Sequence, residues 1–143
     1  MHAANPSFAL EVEQSFARQA IMKLIGARLS LIEPGVVEIT LPYRSDLTQQ
    51  QGFLHAGVVT TIADSACGYA AYSLMPAGSE VLSVEFKVNL LRPAQGESFL
   101  ARAEVIKAGR TLTVVRADVF GVTQDGNREL VATMQGTMIA VRK

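Results

Sequence analysis

The sequence predicts an α+β domain in which a curved antiparallel sheet wraps around one central helix. The helix is predicted at residues 56–75, a segment of apolar or small residues that is too long for a strand, since strands rarely exceed about ten residues. Four long runs of alternating apolar residues follow residue 79, which is typical of antiparallel strands. A helix that is apolar on every side must be covered, so the strands are expected to enclose it.

The N-terminal segment is predicted to be one additional amphipathic helix that packs on the sheet. Asn5 and Pro6 supply an N-cap and a first-turn proline, and Gly26 supplies a residue that ends the helix. Between them an apolar stripe recurs every four residues: Phe8, Val12, Phe16, Ala20 and Leu24.

The strands are predicted from alternation. Residues 27–41 alternate around a Glu33-Pro34-Gly35 turn and therefore predict a β-hairpin. In the first run after the central helix, the apolar side chains share the core face, so Ser83 is expected to face away from that helix. The four later runs are Leu82, Val84, Phe86, Val88 and Leu90; Phe99, Ala101, Ala103 and Val105; Val115, Ala117 and Val119; and Leu130, Ala132, Met134, Gly136 and Met138.

Composition excludes several classes of function. Thirteen basic and thirteen acidic residues cancel, so no net charge draws the chain to nucleic acid or to an anionic membrane. The single cysteine excludes an internal disulfide, and the charged N-terminal segment lacks the apolar core of a signal peptide. We therefore expect a cytoplasmic protein with no nucleic-acid or membrane partner and no metal site.

Between residues 47 and 79, only His55 and Asp64 titrate near neutral pH. A carboxylate inside an apolar helix is costly unless it is paired, hydrogen-bonded or protonated, and such groups are enriched at functional sites. His55 precedes the helix start, where unpaired N–H groups such as that of Ala56 can stabilise a developing oxyanion. Two structural alternatives stay open: Asp64 could face a water-filled gap, and His55 could serve only as an orienting hydrogen-bond partner.

The motif His55-Ala56-Gly57, with Asp64 nine residues after the histidine, resembles the signature of the PaaI-type hotdog-fold acyl-CoA thioesterases. Residues 83–94 and the turn at residues 107–110 resemble the same family. The resemblance implies a hotdog fold, the curved antiparallel sheet around a central helix. It implies one hotdog domain over residues 1–143, with the core at 27–141 and a helical extension at 1–26.

The resemblance also implies an acyl-CoA thioesterase in which Asp64 acts as general base on water or as nucleophile. The Ala56 N–H would be the oxyanion donor at the thioester carbonyl, and His55 would polarise or orient that carbonyl. Ser83 matches a position that helps to place the water in some members.

Two positions depart from the family pattern. Ala56 replaces a glycine, which is tolerable if only its backbone N–H is used. Gln49 stands where the family often has a catalytic asparagine, and Gln50 or Gln51 could take that role after a shift of the loop.

The predicted substrate-binding residues fall into two sets. Apolar or small residues near the motif are expected to contact the acyl group. Cations near the ends of strands, together with the turn that carries two of them, are expected to bind the CoA phosphates. The residues of the two sets are Gly57, Phe53, Leu54, Arg92, Lys107, Gly109 and Arg110. No cofactor is expected, since CoA is part of the substrate.

The resemblance implies a homodimer with one continuous sheet and sites at the interface, or a dimer of dimers. The residues alone indicate a long edge strand that needs covering, and a site using both Ser83 and Asp64 would need a bulge, a twist or a partner subunit.

Two other functions stay open. Hotdog hydratases and dehydratases act on enoyl-CoA or β-hydroxyacyl thioesters but carry their own histidine and acid motifs, which we do not find here. A non-catalytic acyl-CoA-binding regulatory module would be expected to carry a DNA-binding segment, which the N-terminal helix at zero net charge does not supply. Thiol release from a panel of acyl-CoAs would separate these functions.

Overall fold

The computed structural model describes residues 1–142, which form three α-helices and one six-stranded sheet. Helices α1 (Phe8–Arg18) and α2 (Ala20–Ile25) precede a hairpin of β1 (Arg28–Glu33) and β2 (Val36–Pro42). A short 3-10 helix (Ser45–Leu47) leads to α3 (Ala56–Tyr72). The remaining strands are β3 (Ser79–Leu90), β4 (Ser98–Ala108), β5 (Leu112–Val122) and β6 (Arg128–Arg142).

The sheet is antiparallel throughout, in the order β1-β2-β4-β5-β6-β3. Helix α3 packs against all strands from β2 to β6, so the sheet wraps around it as the sequence predicts. Within residues 1–142 no helix combines the length and the apolar character needed to span a bilayer. The predicted core faces of β4 and β5 are confirmed by the buried side chains of Phe99, Ala101, Ala103, Val105, Val115, Ala117 and Val119.

The N-terminal segment forms two helices, so the prediction of a single helix was wrong. Gln19 interrupts it with an extended backbone, φ −80° and ψ 98°. The Gln19 side chain bonds the hydroxyls of Ser65 and Tyr69 on α3, which stabilises this conformation.

The break also changes which apolar side chains are buried. Leu24 of the predicted stripe is 68% exposed, whereas three residues of α1 and α2 are buried: Val12, Met22 and Ile25. The predicted C-terminal end is confirmed, since Gly26 ends α2 with φ 81°, a left-handed conformation that favours glycine. The predicted N-cap was wrong: α1 begins at Phe8 with Ser7 as its N-cap, and Asn5 Oδ1 accepts the Ser7 N–H at 2.9 Å in the turn before the helix.

Helix α3 ends at Tyr72, three residues before its predicted end. The fully buried Ser73 hydroxyl donates to Ala70 O at 2.7 Å and accepts the Gly35 N–H at 2.8 Å. It therefore joins the end of α3 to the β1–β2 turn. The next two N–H groups bond carbonyls three residues back, which tightens the last turn and ends the α-helix.

The edge strand β3 contains a bulge that the alternation did not predict. Ser83 pairs with Met138 of β6 but Glu85 pairs with Thr137, so Val84 is an extra residue. Ser83 consequently shares the face of the buried Met138, against α3, while Leu82 is 58% exposed. The prediction that Leu82 faces the core and Ser83 faces away was wrong, because a bulge reverses the alternation.

Ser73→Ala should lower the free energy of unfolding by about 1–3 kcal/mol, because the buried Gly35 N–H loses its acceptor. Urea unfolding followed by circular dichroism measures the change. Ser30→Ala, at an exposed position of β1, is the matched control and should change stability by less than about 0.5 kcal/mol. Equal stability of the two variants would contradict the role given to Ser73.

Candidate active site

Asp64 lies near the middle of α3 and is bonded to the edge strand. Ser83 Oγ donates to Asp64 Oδ1 at 2.7 Å, and the sulfur of Met138 lies 3.3 Å from the same hydroxyl. The bulge at Val84 makes this contact possible within one chain. The Asp64 side chain is half-buried, whereas the sequence predicted an enclosed carboxylate.

A stripe of small and polar residues leaves one side of α3 partly exposed, so the prediction that α3 is enclosed on every side was wrong. Thr60 and Thr61 donate their hydroxyl protons to carbonyls four residues earlier on the helix, each at 2.8 Å. These hydroxyls are therefore satisfied without cover from another element. The stripe consists of Gly57, Thr60, Thr61, Asp64, Ser65 and Gly68.

His55 is the N-cap of α3. Its Nδ1 accepts the Gly57 N–H at 2.8 Å, so the neutral imidazole carries its proton on Nε2 and can donate from there. An added Cβ on Gly57 would lie 3.0 Å from Nδ1, so the glycine gives this bond room. Among the described residues none accepts the N–H of Ala56, which leaves this donor available to a ligand.

A cavity of about 360 Å³ opens at the start of α3. Gln49 Oε1 accepts the N–H groups of Gln51 and Phe53, so this amide shapes the loop before the helix. Of the three consecutive glutamines, Gln49 and Gln51 line the cavity. The lining brings together five predicted site residues: Gln49, Phe53, Leu54, Ala56 and Arg92.

A second cavity, of about 260 Å³, lies beside Asp64 and Ser83. Ser15 of α1 and Gln19, between α1 and α2, also line this cavity. Sequence analysis missed both, because they precede Asp64 by more than forty residues and no local pattern distinguishes them from solvent-facing polar side chains. The apolar stripe continues past Gln19 to Ala20 and Leu24, so the sequence gives no sign of the break at Gln19.

The groups predicted to act together are too far apart in one chain. Ala56 and Asp64 are separated by eight residues on α3, about 12 Å along the axis. An oxyanion donor must lie about 3 Å from the carbonyl oxygen, and a general base must reach the attacking water. Ala56 and Asp64 of the same chain therefore cannot serve one carbonyl. Among the described residues, none lines both cavities.

The predicted phosphate-binding residues lie at two ends of the sheet. Arg92 donates to Leu130 O at 3.2 Å, and Leu130 pairs with Phe120 of β5. Lys107 pairs with Val114 of the same strand, six residues away, which corresponds to about 20 Å. The cations of one chain therefore do not form a single cluster.

The conformation of the turn between β4 and β5 explains why residue 109 is a glycine, and this explanation requires no bound ligand. Gly109 N–H donates to Leu112 O at 2.8 Å, and an added Cβ on Gly109 would lie 2.7 Å from that oxygen. Arg110, next in the turn, lines a separate cavity of about 510 Å³ together with Ser79 and Arg142.

Cys67 is not a suitable nucleophile. Burial raises the pKa of the Cys67 thiol to about 12, and the charge of nearby Asp64 adds to the rise. Within the described residues no group of three or more His, Cys, Asp or Glu side chains could hold a metal ion. The chemistry that these residues offer is that of a carboxylate, an imidazole and an available backbone N–H.

The chain is similar to known thioesterases in sequence. The sequence profile described as the thioesterase superfamily matches residues 51–126. A candidate esterase of Saccharolobus solfataricus is 31% identical over 133 residues, which cover 93% of this chain and 85% of that protein. A protein of Escherichia coli K12, named medium/long-chain acyl-CoA thioesterase YigI, is 26% identical over 87 residues, or 52% of this chain and 56% of that protein.

Solved structures show the same likeness. A thioesterase family protein from Silicibacter pomeroyi is 54% identical, with a TM-score of 0.92 and coverage of 95% of this chain and 99% of that chain. The PaaI protein of Escherichia coli shares the fold, with a TM-score of 0.84 at 19% identity, over 97% of this chain and 96% of that chain.

Cys67 should resist modification by a disulfide reagent such as DTNB in the folded protein near pH 8, because its raised pKa leaves almost no thiolate. The absorbance of the released thiol measures the reaction. Full reaction is expected once urea unfolds the chain, which serves as the control. Rapid labelling of the folded protein would contradict the buried, protonated thiol.

Proposed function

Because the chain belongs to the thioesterase superfamily and is a thioester hydrolase of the hotdog fold, we propose that it hydrolyses acyl-CoA thioesters with Asp64 as the catalytic carboxylate. The bond from Ser83 Oγ to Asp64 Oδ1 carries the proposal, because it fixes the carboxylate at the wall of a cavity. No described residue donates to Oδ2, so this oxygen is available to a substrate or to water. The acyl-CoA substrate is supported by the name of the Escherichia coli relative and by the resemblance of residues 55–64.

The chemistry is addition to the thioester carbonyl. As general base, Asp64 takes a proton from water while the water oxygen bonds the carbonyl carbon. As nucleophile, Asp64 bonds that carbon itself, and water then cleaves the resulting anhydride. In both routes the Ala56 N–H and the His55 Nε2–H stabilise the charge on the carbonyl oxygen. In the general-base route the C–S bond breaks after water has added, and in the nucleophilic route it breaks to give the anhydride before water attacks; in both, CoA leaves as a thiolate that takes up a proton.

Two copies of the chain complete this site in our proposal, because its groups are about 12 Å apart in one copy. Strand β3 offers the surface for the second copy. It is an edge of the sheet, and a long apolar edge normally needs covering. Pairing β3 antiparallel with β3 of the second copy would cover its exposed apolar residues, which are Leu82, Val84, Phe86 and Leu90.

The same geometry gives the position of the twofold axis. If Ala56 of one copy lies opposite Asp64 of the other, the axis passes midway between them, near Thr60. That point is about 6 Å along α3 from Asp64, which corresponds to about two residues of a strand. Since Ser83 is level with Asp64, the axis crosses β3 near Glu85. This position is close to the centre of the exposed apolar residues of β3.

Antiparallel pairing also brings the distant cations together. The C-terminal end of β3 in one copy, just before Arg92, would lie beside the N-terminal end of β3 in the other copy. At that N-terminal end, Ser79 and Arg110 line the same cavity. The coenzyme could then extend from the cavity at the start of α3, past Arg92, towards Arg110 of the second copy. Charge-assisted hydrogen bonds from these guanidinium groups would bind its phosphates.

Asp64→Asn should leave the fold intact and lower kcat by at least ~10², the effect of losing a general base. Ser83→Ala should lower kcat less, by about tenfold, because it removes one hydrogen bond to the charged carboxylate. Thiol release from an acyl-CoA that the wild type hydrolyses measures both.

The matched control is Asp125→Asn, in the exposed β5–β6 turn, which should keep the wild-type kcat. Turnover near the wild-type rate in a folded Asp64→Asn protein would remove Asp64 from the mechanism.

The Ala56 position tests the oxyanion donor separately. Ala56→Gly keeps the N–H and should retain most activity, changing stability by about 1 kcal/mol or less. Ala56→Pro deletes the N–H while its ring suits the first turn of a helix, and the extended conformation of His55 suits a following proline. It should lower kcat by ~10²–10³.

Circular dichroism and the oligomeric state of both variants must match the wild type for this comparison. Equal kcat values for the folded glycine and proline variants would place the oxyanion hole elsewhere.

A further inference from the structure

The side chain of Gln19 connects the N-terminal helices to α3. Its Nε2 donates to the Tyr69 hydroxyl at 3.2 Å, and its Oε1 accepts the Ser65 hydroxyl at 2.9 Å. Ser15 Oγ lies 3.2 Å from the same Tyr69 hydroxyl. These bonds use only part of the hydrogen-bonding capacity of Gln19 and Tyr69. The Gln19 amide has a second N–H, and the Tyr69 hydroxyl can both donate and accept.

These four residues, Ser15, Gln19, Ser65 and Tyr69, form a polar wall in the cavity that contains Asp64. Tyr69 is five residues after Asp64 on α3, so the wall extends about 7.5 Å beyond the carboxylate along the helix axis. Gly68 adds space between the two, since a Cβ there would have no neighbour within 4 Å. The cavity of about 260 Å³ therefore has room for a small group beside Asp64, with hydrogen-bonding groups along it.

The cavity is polar but unsuited to an anion. Among the described residues that line it there is no Lys, Arg or His, and both Asp64 and Glu80 are acidic. Burial raises the pKa of Tyr69, and the charge of Glu80 adds to the rise, whereas hydrogen bonds to Ser15 and Gln19 and the charge of Arg18 lower it; the net rise keeps the phenol neutral. A carboxylate at the end of the acyl group would be repelled, and a long alkyl chain would cover polar groups without bonding them.

We propose that Gln19, Ser65 and Tyr69 are specificity-determining residues that select a short, uncharged acyl group carrying a hydroxyl. The second N–H of Gln19 donates to the acyl hydroxyl, and the Tyr69 hydroxyl is its alternative donor. The break between α1 and α2 is part of this site, because the extended backbone at Gln19 accompanies both side-chain bonds. The inference rests on the proposed function, since it requires the acyl group of a thioester to lie beside Asp64.

Four acyl-CoAs test the inference on the wild-type protein: hexanoyl, ω-hydroxyhexanoyl, adipoyl and dodecanoyl. The first three share one chain length and differ only at the far end, and the fourth tests length. We expect kcat/KM for ω-hydroxyhexanoyl-CoA to exceed each of the others by about tenfold or more, the effect of one hydrogen bond that the other substrates cannot make. This comparison needs no variant, so it decides the matter even if a substitution prevents folding.

Gln19→Leu and Tyr69→Phe identify the residues responsible. Each should reduce the preference for ω-hydroxyhexanoyl-CoA over hexanoyl-CoA by about tenfold, mainly through KM. A merely structural role would lower the rates for both substrates equally and leave their ratio unchanged. Gln14→Leu makes the same replacement at an exposed position of α1 and should leave the ratio at its wild-type value.

The outcomes separate this inference from the proposed function. If the wild type hydrolyses acyl-CoAs but prefers the hexanoyl, adipoyl or dodecanoyl substrate, the inference is overturned and the function stands. A preference for the hydroxyl that survives unchanged in folded Gln19→Leu and Tyr69→Phe proteins also overturns it. If the folded wild type hydrolyses none of the four, the acyl-CoA proposal fails, and the inference fails with it.

Discussion

The rigid spacing of Ala56 and Asp64 on one helix is the constraint on which the account of this protein depends. Eight residues of α3 place the free N–H and the carboxylate about 12 Å apart, and a straight helix cannot bring them closer. The proposed mechanism needs both groups within hydrogen-bonding distance of one thioester carbonyl. Under this proposal, a second copy of the chain would explain three features together: the separation of the two cavities, the open stripe on α3 and the apolar edge of the sheet.

Strand β3 meets two requirements that conflict in a regular strand. Its inner face must hold a polar group against Asp64, while its length and apolar side chains suit it to pairing at the edge of the sheet. The extra residue Val84 reconciles them, because it brings Ser83 to the side of α3 and leaves Leu82 exposed. Bulges often re-aim side chains near active sites, and this one supplies the hydroxyl that orients the carboxylate.

Much of the fold could be predicted from the sequence, because burial on one face of a strand or helix gives a regular period. The alternation of β4 and β5 and the length of α3 carry that signal. Period alone could not find the bulge at Val84 or the break at Gln19, because both depend on bonds between distant segments. For the same reason, Asp64 and His55 were found by their local chemistry, whereas Ser15 and Gln19 could not be found in this way. The catalytic roles of the site residues stay predictions.

The central claim is that each site uses Ala56 of one copy and Asp64 of the other, and a heterodimer tests it most directly. Ala56→Pro and Asp64→Asn chains, carrying different affinity tags, would be co-expressed and purified as the mixed dimer. One of its two sites then has both groups intact, so the mixed dimer should regain about half of the wild-type kcat per dimer although both parent proteins are nearly inactive. A mixed dimer as inactive as its parents would contradict the shared site.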